Sequence, residues 1–587
     1  MISYLALIVA PLFFAPFAFV RNELVRNILV IAFVLILAGL SLVNFISYEV
    51  PREIALFSSA HALFVFLDIV VLGYFLVQGL LFRHKLITYF AFAQILLYGV
   101  VLFLSPTLDA KDIYIDQTSV VMYLIINMVG GAIIVYSLEY IKSETFSQMK
   151  KSAFIAILFL FLSLMNFIVS TNNIEIFFLL FELTTLCSYL LIAYRKDEAS
   201  LKNAQRALWM NQVGGVAILI ALILSSSLYD TVHFSTLLQK VDGIYMLALV
   251  FLALGAFVKG ASLPFEQWLL GAMAAPTPVS AILHSATMVK IAPFLILKLS
   301  PALSGSLSLG ITLFGTFVFF SASLLALSKD YFKEILGLST VALLGLMMAL
   351  AAIATQEALL ACLVLIVFHA ISKALLFMQA GILEKSFHLK YVHEIDGLIN
   401  HSKLAVFFIV IGFASLTLPP FGAFVGKFMA IESISKEILN NPLYVFALIF
   451  IALGSVFLTL LYFKVLTKLF AKDVDSVKEE VKISRLYTWP SYFLLGLLFV
   501  GMYVSVAREF LSVLEIVVPL VLIALVPLLF SLAFFSNAHR VKEYNCAEKD
   551  SVKLNMYYFY MPQQLITTLR IIAIVGIALL FVGALVW

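Results

Sequence analysis

Charge is scarce in this chain. Of its 587 residues only 12% are Asp, Glu, Lys or Arg, against 63% that are hydrophobic. Soluble domains carry roughly twice that share of charge, so water is excluded as the main solvent, and a mean hydropathy of +1.10 puts lipid in its place. Cysteine is almost as rare: Cys187, Cys362 and Cys546 stand alone, without CxxC spacing or a dense Cys/His cluster. That argues against iron–sulfur clusters and structural zinc, and neither a metal nor another cofactor is expected. The net charge of +4 is spread through short loops, with no basic patch interleaved with aromatics. Nucleic acid is therefore not an expected partner.

What the chain has is long apolar sequence. A helix crosses a bilayer with about 20 apolar residues, and about 18 windows of that length run almost end to end. They are continuously apolar and not alternating, so the expected fold class is an all-α polytopic membrane protein and not a spanning barrel. The first window, Ile2 to Val20, has no basic n-region and leads through Arg21 into another apolar run. It reads as a retained helix and not a cleaved signal.

Lys and Arg collect in alternate loops. One set holds Arg21 and Arg26, Arg83 and Lys85, Lys142, Lys150 and Lys151, the cluster from Arg195 to Arg206, Lys329 and Lys333, Lys385 to Lys403, Lys472 to Arg485, and Arg540 to Lys553. About 24 basic residues fall there, against about 6 in the other set, a bias that places the N-terminus outside. The expected location is the cell inner (cytoplasmic) membrane. The longest polar connections, 383–403, 471–487 and 536–568, are too short for a separate catalytic domain. Redox chemistry, if coupled to this chain, belongs to another one.

Two helices are expected to be broken. In 247–275, Pro264 removes the amide that would bond to Gly260; in 404–430, Pro419 and Pro420 release the carbonyls of Ser415 and Leu416. Paired interruptions in two halves of a membrane chain point to a transporter repeat, here about 153–299 and 305–470. Each break has a lysine nearby, Lys259 and Lys427.

An ionisable residue at the bilayer centre costs roughly 2.5–3.5 kcal/mol, so several in one bundle imply interior, hydrated positions. Glu182, Lys259, His284, Lys290, His369, Lys373 and Lys427 all lie within apolar windows. His369 and Lys373 are four apart, on one helical face, positioned to exchange a proton directly or through one water. Glu182 opposite Lys259 would make a switch in which moving one charge changes the protonation of the other. Plainer readings stand beside these. A single buried Lys or His also serves as a structural hydrogen-bond partner, Lys290 and Lys298 also suit snorkelling toward an interface, and Asp68 reads as structural or peripheral.

At these residues the chain resembles the antiporter-like membrane subunit family, shared by respiratory complex I, Mrp-type sodium/proton antiporters and energy-converting hydrogenases. The segments FELTTLCSYLLI, AFVKGASLPFEQWLLGAMAAPTPVSAILHSATMVK, YFKEILGLSTVALLG, HAISKALLF and LPPFGAFVGK carry the likeness, in order, over about 118–507. The resemblance implies two inverted five-helix repeats, each with a half-channel, joined by a polar axis at the membrane midplane. It implies that Glu182 is the acidic member of the input pair and Lys259 its partner, that His284, His369 and Lys373 form the central axis, and that Lys427 is the terminal lysine. Residues 1–105 then hold N-terminal additional helices, two of which, about 61–82 and 86–105, precede the first conserved segment, and 508–587 hold C-terminal helices with the connection at 536–568. Leu365 stands where some relatives have another histidine. ATMVK, ending at Lys290, looks more like Mrp and hydrogenase members than complex I relatives, and the Tyr-Asn-Cys-Ala-Glu stretch at 544–548 is weakly similar to a segment of hydrogenase-associated members; with the two added helices these lean toward a hydrogenase or related complex.

The resulting expectation is a proton-translocating subunit of a redox-driven complex, with other membrane subunits and a peripheral redox module as partners. The alternative is an Mrp-type Na⁺/H⁺ antiporter or ion-coupled carrier subunit without a redox partner. A non-conducting scaffold, or a haem- or quinone-holding oxidoreductase, fits the sequence less well: the relay positions are present, and no matched pair of facing haem ligands is evident.

Overall fold

A computed structural model describes residues 2–55, 58–104, 112–239, 245–303, 305–419, 421–470, 483–507, 521 and 561–586. Pro420, the 544–548 stretch and most of the 536–568 connection lie outside them. The described chain is a polytopic helical membrane protein. Sixteen of its helices are long and apolar enough to cross a bilayer.

The helices in chain order are α1 (Ile2–Phe14), α2 (Glu23–Ile46), α3 (Ser58–Leu81), α4 (Lys85–Leu104), α5 (Gln117–Ser143), α6 (Gln148–Ile168), α7 (Ile174–Ile192), α8 (Glu198–Tyr229), α9 (Tyr245–Lys259), α10 (Glu266–Gly271), α11 (Thr277–Ala302), α12 (Gly305–Leu327), α13 (Phe332–Ile353), α14 (Gln356–Ile382), α15 (Lys403–Thr417), α16 (Gly422–Glu437), α17 (Tyr444–Leu469), α18 (Arg485–Ala507) and α19 (Gln563–Val586). Side-chain caps start many of them, as the exposed amides of a first turn require: Asn173 accepts from Glu175 and Ile176, Asp197 from Ser200, and Thr355 from Ala358.

Burial divides the bundle. α11 and α13 are enclosed on all sides, whereas α1 to α4, α17, α18 and α19 present broad apolar faces outward, as helices in contact with lipid do. Where α12 crosses α13 the backbones nearly touch: a Cβ on Gly315 would lie 2.5 Å from the carbonyl oxygen of Gly345. Small residues at such crossings replace the hydrophobic drive that lipid does not provide.

Both helix breaks are present. α9 stops at Lys259, where the amide of Gly260 bonds the carbonyl of Ala256 and that of Ser262 the carbonyl of Phe257. Ala261 takes a left-handed conformation, and the chain passes Pro264 before resuming as α10. The carbonyl of Val258 accepts from the Trp268 indole at 2.9 Å, so backbone groups at the break are satisfied inside protein, as a membrane interior demands. α15 ends at Thr417 beside Pro419, and α16 begins at Gly422.

A third interruption has no proline at its centre. Within α11 a π-helical turn, Ile282–Ala286, gives way at Thr287 to a tight turn, Met288–Lys290. π-turns of this kind gather at functional sites.

Two short backbone bridges relate the halves. Asn173, ahead of α7, pairs with His233, after α8; Tyr331, ahead of α13, pairs with Tyr391, after α14. These are equivalent positions in five-helix sets beginning at α6 and α12. An odd number of crossings between them puts the bridges on opposite membrane faces, the signature of inverted repeats.

Candidate functional site

Every ionisable residue singled out within the apolar windows faces the bundle interior. Glu182, Lys259, His284, Lys290, His369 and Lys373 have no exposed surface, and Lys427 only 5%. They fall into separate groups.

The first group joins α7 and α9. The Lys259 ammonium donates to the carbonyl of Phe181 at 2.9 Å and to the Thr185 hydroxyl at 2.8 Å, and stands 3.8 Å from the centre of the Phe181 ring. Phe181 and Thr185 bracket Glu182 along one turn. Glu182 itself points to α4, where Oε1 accepts from Gln94 Nε2 at 2.8 Å while Oε2 has no partner. Carboxylate and ammonium therefore share a helix turn without an ion pair between them. Gly215 on α8 makes room: a Cβ there would lie 1.8 Å from Glu182 Oε1 and 2.3 Å from Gln94 Nε2.

The central group lies where α11, α13 and α14 meet. Lys290 Nζ sits 2.7 Å from His369 Nδ1 and 3.8 Å from Met347 Sδ. Lys290 does not snorkel; the tight turn after Thr287 directs it inward. One turn along α14, Lys373 donates to the Ser339 hydroxyl at 2.5 Å and the Leu336 carbonyl at 3.1 Å. His369 and Lys373 share a face as expected but take different partners, so no direct bond joins them. His284 rests 5.0 Å from the Phe377 ring with neither ring nitrogen bonded, and His369 Nε2 is likewise unpartnered. Unpaired nitrogens in a buried site mark where water or a moving proton would be accommodated.

Lys427 is held on α16, which packs so closely on α14 that a Cβ on Gly426 would lie 2.6 Å from Leu365 Cγ. Its ammonium has no hydrogen-bond partner among the described residues. Among the same residues no hydrogen bond links Lys259 to Lys290 or Lys373 to Lys427, so protein atoms alone do not form an unbroken chain. Lys298 stands apart, bonded to the Thr171 carbonyl near the end of α11.

Comparison with known proteins follows this geometry. The family model described as NADH:quinone oxidoreductase/Mrp antiporter, transmembrane, matches residues 170–459, and that of the complex I chain 5 N-terminus matches 111–148. The chain belongs to the antiporter-like membrane subunit family. Within that family it is 34% identical to Na⁺/H⁺ antiporter subunit A1 of Staphylococcus haemolyticus over 345 residues, 55% of this chain and 42% of the relative. Subunit A1 of Staphylococcus aureus strain Newman is 33% identical over the same shares. The chain thus spans well under two thirds of the length of these curated relatives. The larger family match encloses all three groups and both breaks. It leaves out α3 and α4, and hence Gln94, which sequence reading missed because these helices appeared only as additions. Both of these relatives are Na⁺/H⁺ antiporter subunits, so they lend the leaning toward hydrogenases no support.

Proposed function

We propose that this chain is a proton-translocating subunit of an Mrp-type Na⁺/H⁺ antiporter, working with other membrane subunits in a cytoplasmic membrane. Protons would pass from the Glu182–Lys259 group through Lys290, His369, His284 and Lys373 to Lys427, with water between the groups. The observation that carries this reading is the arrangement on one turn of α7, where Lys259 is moored to the residues either side of Glu182. Protonating Glu182 removes the only carboxylate in this group, so Lys259 loses its countercharge and releases its proton more readily. The rest of the axis is lysine and histidine, which accept protons and repel sodium. Sodium would therefore travel elsewhere in the assembly.

The redox-driven reading is weaker. The family descriptions include complex I, but the curated relatives are antiporter subunits, and a peripheral redox module has no support from them. The two readings part on what copurifies with the chain: small membrane subunits alone, or flavin and iron–sulfur proteins as well. The function itself is tested in everted membrane vesicles by dissipating an imposed pH gradient with NaCl. Lys259→Ala and Glu182→Gln should abolish the sodium response while the complex still assembles; wild-type responses in both would reject the proposal.

A further inference from the structure

α3 and α4 lie outside both family matches, yet they carry buried groups that converge on the site. Asp68 of α3 is 1% exposed and neither carboxylate oxygen has a hydrogen-bond partner. Beside it is Tyr98 of α4, whose hydroxyl donates to Glu175 Oε1 of α7 at 3.0 Å. Glu175 Oε2 is 4.0 Å from His61 Nδ1, and the His61 side chain is 34% exposed. One turn before Tyr98 on the same face, Gln94 holds Glu182.

The register of these helices makes a ladder. α3 and α7 are the third and seventh crossings and run in the same direction. His61 and Asp68 are seven residues apart on α3, Glu175 and Glu182 seven apart on α7, about 10 Å in each case. His61 stands beside Glu175 at the end of the bundle, and the same spacing brings Asp68 level with Glu182. α4 runs the opposite way between them, presenting Tyr98 to the outer rung and Gln94 to the inner one. Around the inner rung, Gln94 Oε1, Glu182 Oε2 and both polar side-chain atoms of Gln212 are buried without protein partners. Polar groups gathered in this way are what ordered water satisfies.

Among the described residues no Lys or Arg stands beside Asp68. Its neighbours are Glu175, Glu182 and Tyr98, with Asp112 and His61 near the outer rung. A bare carboxylate so enclosed is strongly penalised, which leaves it a proton to hold.

We propose that α3 and α4 add a proton inlet to the first repeat, running from His61 through Glu175, Tyr98 and Asp68 to Glu182. Tyr98 passes protons without changing charge: once Asp68 has given up its proton toward Glu182 and the Tyr98 hydroxyl has turned from Glu175 to Asp68, the phenol oxygen receives a proton from the Glu175 carboxyl as its own goes to the Asp68 carboxylate. Water among the unpartnered atoms then carries the proton to Glu182. The inlet rests on the proposed role of the Glu182–Lys259 group, and its entrance is on the face bearing the α2–α3 connection.

The test uses everted vesicles holding the full complex, with sodium-driven pH-gradient dissipation read across pH. Asp68→Asn and Tyr98→Phe are expected to slow the response by at least about tenfold, Asp68→Glu to restore it to within about threefold, and Lys259→Ala to abolish it, with the amount of complex unchanged. Wild-type rates in Asp68→Asn or Tyr98→Phe, alongside a dead Lys259→Ala, overturn the inlet and leave the site's function standing. A Lys259→Ala variant at the wild-type rate overturns the function first and the inlet with it. Loss of assembled complex in every Asp68 and Tyr98 variant gives these residues a structural role and also overturns the inlet.

Discussion

The Lys259 ammonium, reaching from α9, docks on the turn of α7 that carries Glu182 without pairing with it: the ammonium is bound by the Phe181 carbonyl and the Thr185 hydroxyl, and the carboxylate by Gln94. A direct ion pair would trap both charges. Held on separate partners, each feels the other and remains free to change state. Thr185→Val removes one of the two bonds to the ammonium, worth about 1.5–3 kcal/mol for a bond to a charged group. The variant should assemble normally, lower transport several-fold and displace its pH optimum; an unchanged pH profile would show that the mooring is unimportant.

Gly215→Ala is expected to behave as though Glu182 itself were altered. Its methyl would lie 1.8 Å from the carboxylate oxygen and 2.3 Å from the Gln94 nitrogen, and both must shift. Transport should fall by about tenfold or more, since misplacement of a proton-transfer group by about 1 Å costs 10²-fold in other systems. Gly73→Ala on α3 makes the control, because a Cβ there meets nothing within 4 Å. Equal transport in wild type and Gly215→Ala would count against the Gln94–Glu182 contact.

The Lys290–His369 pair predicts strong non-additivity. His369→Phe leaves the Lys290 ammonium facing Met347 sulfur alone, a buried donor without its acceptor, at a cost of about 1–3 kcal/mol. Lys290→Met removes the charge and should cost less. The double variant should unfold in detergent at a higher temperature than His369→Phe alone, giving a coupling energy of about 1–3 kcal/mol. Additive effects would mean that the two side chains do not meet.

At the expected cytoplasmic ends of the helices, Glu144 binds Lys385 at 2.9 Å and Arg195 at 3.1 Å, tying the first repeat to the second. Burial by itself would raise the Glu144 carboxyl, but the Lys385 hydrogen bond and the Arg195 charge outweigh it and hold it below its ordinary 4.5. A carboxyl depressed by folding contributes stability above its unfolded value and loses it as pH falls through the folded one. The melting temperature of the wild type should therefore fall as pH drops below about 4.5. Glu144→Gln should be less stable by about 1–2 kcal/mol at neutral pH, with a smaller loss on acidification.

Much of the architecture was legible because lipid is a simple judge: a long apolar window must be a helix, and a charge within it must face inward. Proline marked the first break, and Lys259 and Lys427 stood out as charges beside interruptions. Other features left no such trace. The π-turn around His284 is set by packing among α11, α13 and α14, with no proline or glycine inside it to announce it. Periodicity put His369 and Lys373 on one face, but it does not say which helix that face meets, so the partnership of Lys290 with His369, 79 residues away, was hidden. Gln94 drew no notice and Asp68 read as structural or peripheral for the same reason. Their importance comes from what α3 and α4 lie against, and an amide or one acid in an apolar run carries no sign of that.

Glu266, in the first turn after Pro264, is 1% exposed and is met by Arg570 of α19 at 2.5 and 2.7 Å. The two residues are 304 positions apart. During synthesis the first broken helix is therefore made and threaded long before its stabilising arginine leaves the ribosome, and its acidic group waits uncompensated until a late span is inserted. The contact that pairs the acid beside the first break can therefore form only after α19 has been made.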